Sequence, residues 1–238
     1  MGVISVRTTS LAAGNAEDLS RPTPKSAATR AKLITVAERL FAECGIAGVS
    51  LNEISRAAHQ RHSNVCQYHF GNKDGLIQAI IDKHVPAIAA QRNAIFDEME
   101  RTGAAGLADV VHAFVRPVAA KLSDPDGGKE FIRFNAQMVV SHTLAGHVPG
   151  PGPFSPPDAD RLTRKLEAAM ADLGLPQDVV HRRLIMAAIM LFQGLADYSR
   201  LRDARPAGYY ETELFTRDLE AMIVGALTAP FRRQGEGP

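Results

Sequence analysis

From Ser26 onward the chain alternates between stretches with apolar residues every three or four positions and short polar breaks. Leu33, Ile34, Ala37, Leu40, Phe41 and Cys44 share one helical face, so the spacing predicts an amphipathic helix that buries this stripe. Gly45 and Gly48 follow, as a helix end commonly requires. Ser50-Leu51-Asn52-Glu53 reads as a capping box: the Ser50 hydroxyl accepts the Glu53 amide while the Glu53 carboxylate reaches back to the Ser50 amide. A short helix is therefore expected over 51–58, with Leu51, Ile54, Ala57 and Ala58 facing inward. The turn at His59–His62 lacks the usual glycine. Ser63 or His62 can cap the next short helix, which ends near Phe70-Gly71. Asn72 caps a further start, and Leu76, Ile77, Ile80 and Ile81 give that helix its apolar stripe.

Pro86 removes the hydrogen bond to the carbonyl of Asp82, so a kink or a break is expected there. Later segments read as helices near 106–122, 128–144, 158–173, 177–202 and 209–230, with GHVPGPGPFSPPD (146–158) as a loop. Strand-like alternation of Val, Ile and Thr is scarce and Trp is absent, so the fold class is all-α. No internal repeat is present. Three regions are expected: a polar tail at 1–24, a compact helical head at 25–84, and a larger helical body at 85–238.

Two short helices between longer ones, joined by a tight turn, make a helix-turn-helix. In RHSNVCQYHFGNKDGL (61–76), Val65 and Phe70 anchor the inner face of the second helix, which leaves a dense set of hydrogen-bonding side chains facing outward. Charge sharpens this picture. The net charge is only +1, yet residues 21–73 carry eight Lys/Arg against three acids, a local excess of +5. From residue 85 onward 17 Lys/Arg meet 19 Asp/Glu, a net of −2. A basic head on a slightly acidic body is the footprint of a polyanion partner.

Other classes lack their signatures. No nucleophile elbow, Walker loop, zinc spacing or paired-carboxylate motif occurs, and the eight His are scattered, so neither an enzyme nor a metal or other cofactor is expected. Cys44 and Cys66 have neither metal-ligand spacing nor the density of a disulfide framework, and Cys66 reads as small helix filler. No apolar run approaches the roughly 18 residues of a bilayer span, and the N-terminus has no sustained hydrophobic region. No membrane partner and a cytoplasmic location are expected.

At residues 29–84 the chain resembles the TetR family of bacterial transcriptional regulators. The resemblance is carried by AERLFAECGIAGVSLNEISRAA and YHFGNKDGLIQAI: an apolar helix, a Gly-turned loop, Val-Ser capping the second helix, then Tyr-His-Phe, a capped Lys-acid pair and a Leu. One departure is His59, which stands where the family has glycine in the turn, in a segment one residue longer than usual. His tolerates a left-handed conformation better than most residues. The resemblance implies phosphate contacts from Ser50, Tyr68, His69 and Lys73, with Arg30 also limited to phosphate. Ser63, Asn64 and Gln67 would reach bases, and Arg61 and His62 would serve either class of contact. Side-chain amides read adenine bidentately, at roughly 1–3 kcal/mol per good pair, while lysines and helix N-termini attract phosphate whatever the sequence.

The resemblance further implies a body that holds a small effector, and terminal helices that pack on a twin to make a homodimer on a palindromic double-stranded operator. VVHRRLIMAAIMLFQGLADYSRL is apolar around more of its circumference than one core face needs. The last helix carries Leu214, Phe215, Leu219, Met222, Ile223, Ala226 and Leu227. Such surplus suits a dimer of four packed helices, or a well-buried central helix in a monomer. For the effector, Phe114, Phe131, Phe134, Met138 and Met186 would form an apolar wall, with His112, Gln137 and His142 as polar handles. The expected function is a repressor released from its operator by a small, largely apolar effector. The alternative is a DNA-binding protein whose body binds a protein partner instead.

Overall fold

A computed structural model describes residues 23–103, 106–144, 159–205 and 211–231, apart from the side chains of 140–144 and 159–160. The tail reading of 1–22 and the loop reading of 146–158 lie outside the described residues. Within them the chain forms nine α-helices and no strand: α1 (Pro24–Cys44), α2 (Leu51–Ala57), α3 (Val65–Phe70), α4 (Lys73–Thr102), α5 (Leu107–Ala119), α6 (Gly128–Leu144), α7 (Ala159–Ala169), α8 (Gln177–Ala204) and α9 (Thr212–Thr228). Short 3-10 turns extend α5 through Ala120–Ser123 and follow α7 at Ala171–Leu173.

Helix α1 begins two residues before the apolar pattern suggested. The Thr23 hydroxyl accepts the Ser26 amide, and Pro24 occupies the first turn, where its missing N–H costs nothing. It ends at Gly45 (φ 81°), a conformation open to glycine. Cys44, expected on the buried stripe, is exposed, because the stripe leaves the interior as the helix terminates. Helix α4 decides between a kink and a break only as far as the break. It runs without a break through Pro86, which lies on its exposed side.

Helices α1, α2 and α3 pack on one another and on the first turns of α4 to form the head. In the body α4 packs on α5, α5 on α7 and α9, α6 on α8, and α8 on α9. One continuous apolar core joins the two. It runs from Leu33, Phe41, Ile54 and Leu76 through Phe96, Phe131 and Phe134 to Leu191, Leu195 and Ile223. The division expected at 84/85 falls inside α4, and α1 touches α6 directly.

Polar side chains tie head to body along that seam. Glu38, on the inner face of α1, is fully buried. Its Oε2 accepts from Lys83 Nζ at 2.9 Å, and its Oε1 lies 2.8 Å from His84 Nε2. The His84 ring packs on Phe131 of α6, with centroids 4.4 Å apart. Lys83 also reaches Asp126 at 2.9 Å, in the connection between α5 and α6. Gly127 in that connection has φ 79° and lies so close to Glu38 that a Cβ there would collide with the carboxylate.

Helix α8 corrects the reading of apolar runs. Over an 18-residue window its mean hydropathy is 1.4, so by length and composition alone it could cross a membrane. Counting uninterrupted runs missed it because single polar residues punctuate the helix. Only 33% of that window is buried. Its inner positions (Ala187, Leu191, Leu195, Tyr198) lie in the core, while Met186 and Leu201 remain exposed.

Candidate nucleic-acid interface

The capping box forms as expected. Ser50 Oγ accepts the Glu53 amide at 3.2 Å, and Glu53 Oε2 accepts both the Ser50 amide and hydroxyl at 2.7 Å. These two bonds from Ser50 hold the Glu53 carboxyl below its usual range. They fix the start of α2, with Ile54 and Ala58 fully buried beneath it. His59 then turns the chain at φ 55°, the left-handed conformation a glycine would take.

Helix α3 starts at Val65, capped by neither of the expected residues. Its N-cap is Asn64, whose side chain makes no capping bond. The buried Ser55 hydroxyl of α2 accepts the Cys66 amide instead, at 3.1 Å. Cys66, fully buried, is the innermost side chain of α3, whereas Val65 and Phe70 are half-buried. Burial pushes the Cys66 thiol up to about 11, so at neutral pH it stays protonated and serves as packing.

The outer face is densely polar. Arg61, His62, Ser63, Asn64 and Gln67 are all exposed, and Tyr68 is 83% exposed. The Tyr68 ring meets His69 edge-on at 5.3 Å. Arg30 of α1 lies over the Phe70 ring, 5.0 Å from its centroid, which sets its guanidinium beside α3. Burial, and then the Arg30 charge, lower His69 below its ordinary value, so at neutral pH its ring is uncharged. Lys73 is partly committed: its ammonium donates to the Ile46 carbonyl at 2.9 Å and fastens the α1–α2 loop to α4. Sequence reasoning missed two residues here. Ser55 was hidden by its inward position. Arg56, exposed in the last turn of α2, adds a cation beside the turn.

The described residues expected to line an effector pocket lie in different settings. Phe131 and Phe134 are core side chains, packed on His84 and, at 6.1 Å, on Phe41 of α1. Gln137 faces the head: its Nε2 donates to the carbonyls of Phe41 (3.1 Å) and Ala42 (3.4 Å) at the end of α1. His112 lies on the surface, 3.2 Å from Glu220 of α9, and Met186 is 44% exposed. Phe114 is buried and Met138 half-buried, and the His142 side chain lies outside the described residues. Apolar identity marked these positions without separating core from cavity. A cleft of about 240 Å³ lies elsewhere, between Leu173–Leu175 and Thr228–Phe231 at the end of α9, with Arg183 in its wall.

A helix pair joined by a tight turn, packed from behind and polar in front, defines a helix-turn-helix DNA-binding protein. Residues 33–80 match the family model described as bacterial regulatory proteins, tetR family. The match spans α2 and α3 with the adjoining parts of α1 and α4, so the likeness to that family rests on the helix-turn-helix segment. No curated protein matches. Solved structures resemble it at low identity. A protein from Rhodococcus sp. described as a TetR-family transcriptional regulator is 16% identical over 84% of this chain and 99% of its own, with a TM-score of 0.41. A structure concerning control of antibiotic production by bacterial hormones is 20% identical over 84% and 97%, TM-score 0.41. A TetR-family transcriptional regulator from Pectobacterium atrosepticum is 18% identical over 89% and 100%, TM-score 0.38.

Proposed function

We propose that the chain acts as a homodimeric repressor, cytoplasmic and without catalytic activity, that occupies a palindromic operator and leaves it when the body binds a small, largely apolar molecule. One observation carries the DNA half of this reading. Asn64 and Gln67 are exposed on a helix whose opposite face is sealed by Cys66. In a major groove their amides would meet base edges, while Arg61 and His62 contact bases or phosphates, Ser63 contacts bases, and Ser50, Tyr68, His69, Lys73 and Arg30 contact phosphates. The neutral ring of His69 suits hydrogen bonding better than ion pairing.

The dimer is supported by α8 and α9, which carry exposed Met186, Leu201, Leu214 and Met222. Along α9, Leu214, Ala221, Met222 and Gly225 are all exposed at helical spacing, and a Cβ added at Gly225 would meet open space. A second copy covering that stripe would hold two recognition helices about 34–36 Å apart, one turn of duplex. Release requires the effector to favour a different head angle. Helix α4 provides one lever and α6 another, since Gln137 grips the end of α1.

The test is selection of bound duplex from a random pool by the full chain, with Asn64→Ala and Gln67→Ala in parallel. Each variant should relax preference at particular base positions, by about 1–3 kcal/mol where a bidentate pair is lost. Variants that keep the full parent preference would remove both residues from the base-reading set. A parent chain that ignores every duplex at low salt would remove the function. Thermal-shift screening addresses the effector: stabilisation by an apolar metabolite that also reverses operator binding supports it. A body stabilised only by a protein partner would favour the alternative.

A further inference from the structure

Helix α3 is six residues long, far too short to hold its own shape in water. Its orientation must come from its neighbours. The other caps in and around the head share one geometry. Thr23, Ser50 and Asn72 have ψ of 152°, 156° and −175°, and the side chain of each accepts an amide of its helix's first turn. Such extended backbone is what lets a cap side chain fold back onto the helix. Asn64 departs from it, with φ −89°, ψ 5° and no capping bond.

The missing acceptor comes from another helix. Ser55 of α2, fully buried, presents Oγ to the Cys66 amide at 3.1 Å. The same residue's carbonyl accepts the Gln60 amide at 3.0 Å, just past the left-handed His59. Ser55 thus holds the turn through its backbone and the recognition helix through its side chain. We propose that Ser55 is the positioning residue for base reading: by taking over the cap of α3 from inside the head, it fixes the helix's direction and frees the Asn64 amide for the duplex. This rests on the assignment of α3 as the reading helix.

The experiment uses the full chain, the duplex selected by the parent, and a scrambled duplex of equal length at the same salt concentration. Ser55→Ala should lose about tenfold in affinity for the selected duplex (about 1.4 kcal/mol) and nothing for the scrambled one. Its base preference should relax at the position relaxed by Asn64→Ala, and the double variant should lose no more than either single one. Exchange of the Cys66 amide proton should speed up without DNA present. If Ser55→Ala does not melt cooperatively, Ser55→Cys, close in shape with a weak acceptor, is read in its place.

Two results overturn the proposal: an unchanged ratio of selected to scrambled affinity, whether neither duplex loses or both lose equally, or failure of both variants to fold, which would make Ser55 a residue of stability alone. A parent that selects no duplex sinks the DNA-reading assignment instead, and Cys66 exchange still reports whether Ser55 holds α3.

Discussion

Replacing Glu38 by Ala tests the seam between head and body. In the intact chain both the Glu38 and His84 side chains are 1% exposed, and Lys83 is 19% exposed. Burial pulls Lys83 down, and its bonds to Asp126 and Glu38 outweigh that, so it sits above its ordinary value and stays charged. Removing the carboxylate leaves the His84 ring nitrogen 2.8 Å from an empty volume, between α1 and the Phe131 ring. Lys83 keeps only the solvent-facing Asp126, which is 74% exposed. Breaking a buried pair from one side costs about 3–5 kcal/mol, because the remaining partner stays desolvated. An exposed pair would cost about 0–1 kcal/mol.

For a chain of this size the buried figure corresponds to a fall in melting temperature of roughly 6–20 °C. Denaturation by urea, followed by circular dichroism, gives the free energy directly. Glu38→Gln preserves the shape and one acceptor and should lose about 1–3 kcal/mol, the cost of one unsatisfied partner. A double-mutant cycle with His84→Phe isolates the contact. The two single losses should exceed the double loss by about 1–3 kcal/mol, since Phe needs no partner in a site already lined by Phe131. A Glu38→Ala loss below about 1 kcal/mol, or a coupling below about 0.5 kcal/mol, would refute the buried-latch reasoning.

Two further outcomes follow from the same structure. Met222→Glu, alone or with Leu214→Glu, places charge on the exposed stripe of α9. Sedimentation should then report monomers, with operator affinity falling at least tenfold, while a dimer of undiminished strength would move the interface elsewhere. For His69, burial and Arg30 lower the folded-state value below the ordinary value of about 6.5, so folding favours the neutral ring. Its contribution to stability is complete above the unfolded value and is lost as pH falls through the folded one. Stability measured from pH 7 downward should therefore decline more gently in His69→Gln than in the parent, and parallel curves would contradict the assigned cause.

How far the sequence could be read depended on whether the determinant was local. The capping box at Ser50 and the Asn72 cap involve residues three apart, and both appear where the pattern put them. The bounds of α6 match the expected 128–144, and α8 starts at the expected residue 177 and ends two residues later. The early start of α1 was legible in principle, since Thr23-Pro24 is a cap followed by a first-turn proline. Long-range pairings were not legible. Nothing near Gln137 reveals that it donates to Phe41, 96 residues earlier. Ser55 looks like an ordinary helical serine until the turn brings Cys66 onto it. Its one clue is a hydroxyl beside Ile54 on the inward face of a short helix. The effector candidates were hard to read for a different reason: a core phenylalanine and a pocket phenylalanine carry the same apolar signature.

These long-range pairings, taken together, make the orientation of α3 a property of the body. Ser55 fixes α3 to α2, and Lys73 fixes the α1–α2 loop to α4. Glu38 fixes the middle of α1 to α4 through Lys83 and His84, and Gln137 of α6 fixes its end. Swinging the head about α4 alone would strain the Gln137 bonds. Shifting α6 alone would strain the packing of Phe131 against His84. A head fastened at two points of one helix resists rotation about either, so the release proposed above would call on α4 and α6 together. The linked element is compact: Glu38, His84, Phe131 and Gln137 span α1, α4 and α6, and the last two lie within two turns of α6. A ligand that displaces α6 by a fraction of a helical turn therefore acts on α1 without an intermediate, provided it binds the displaced arrangement more tightly.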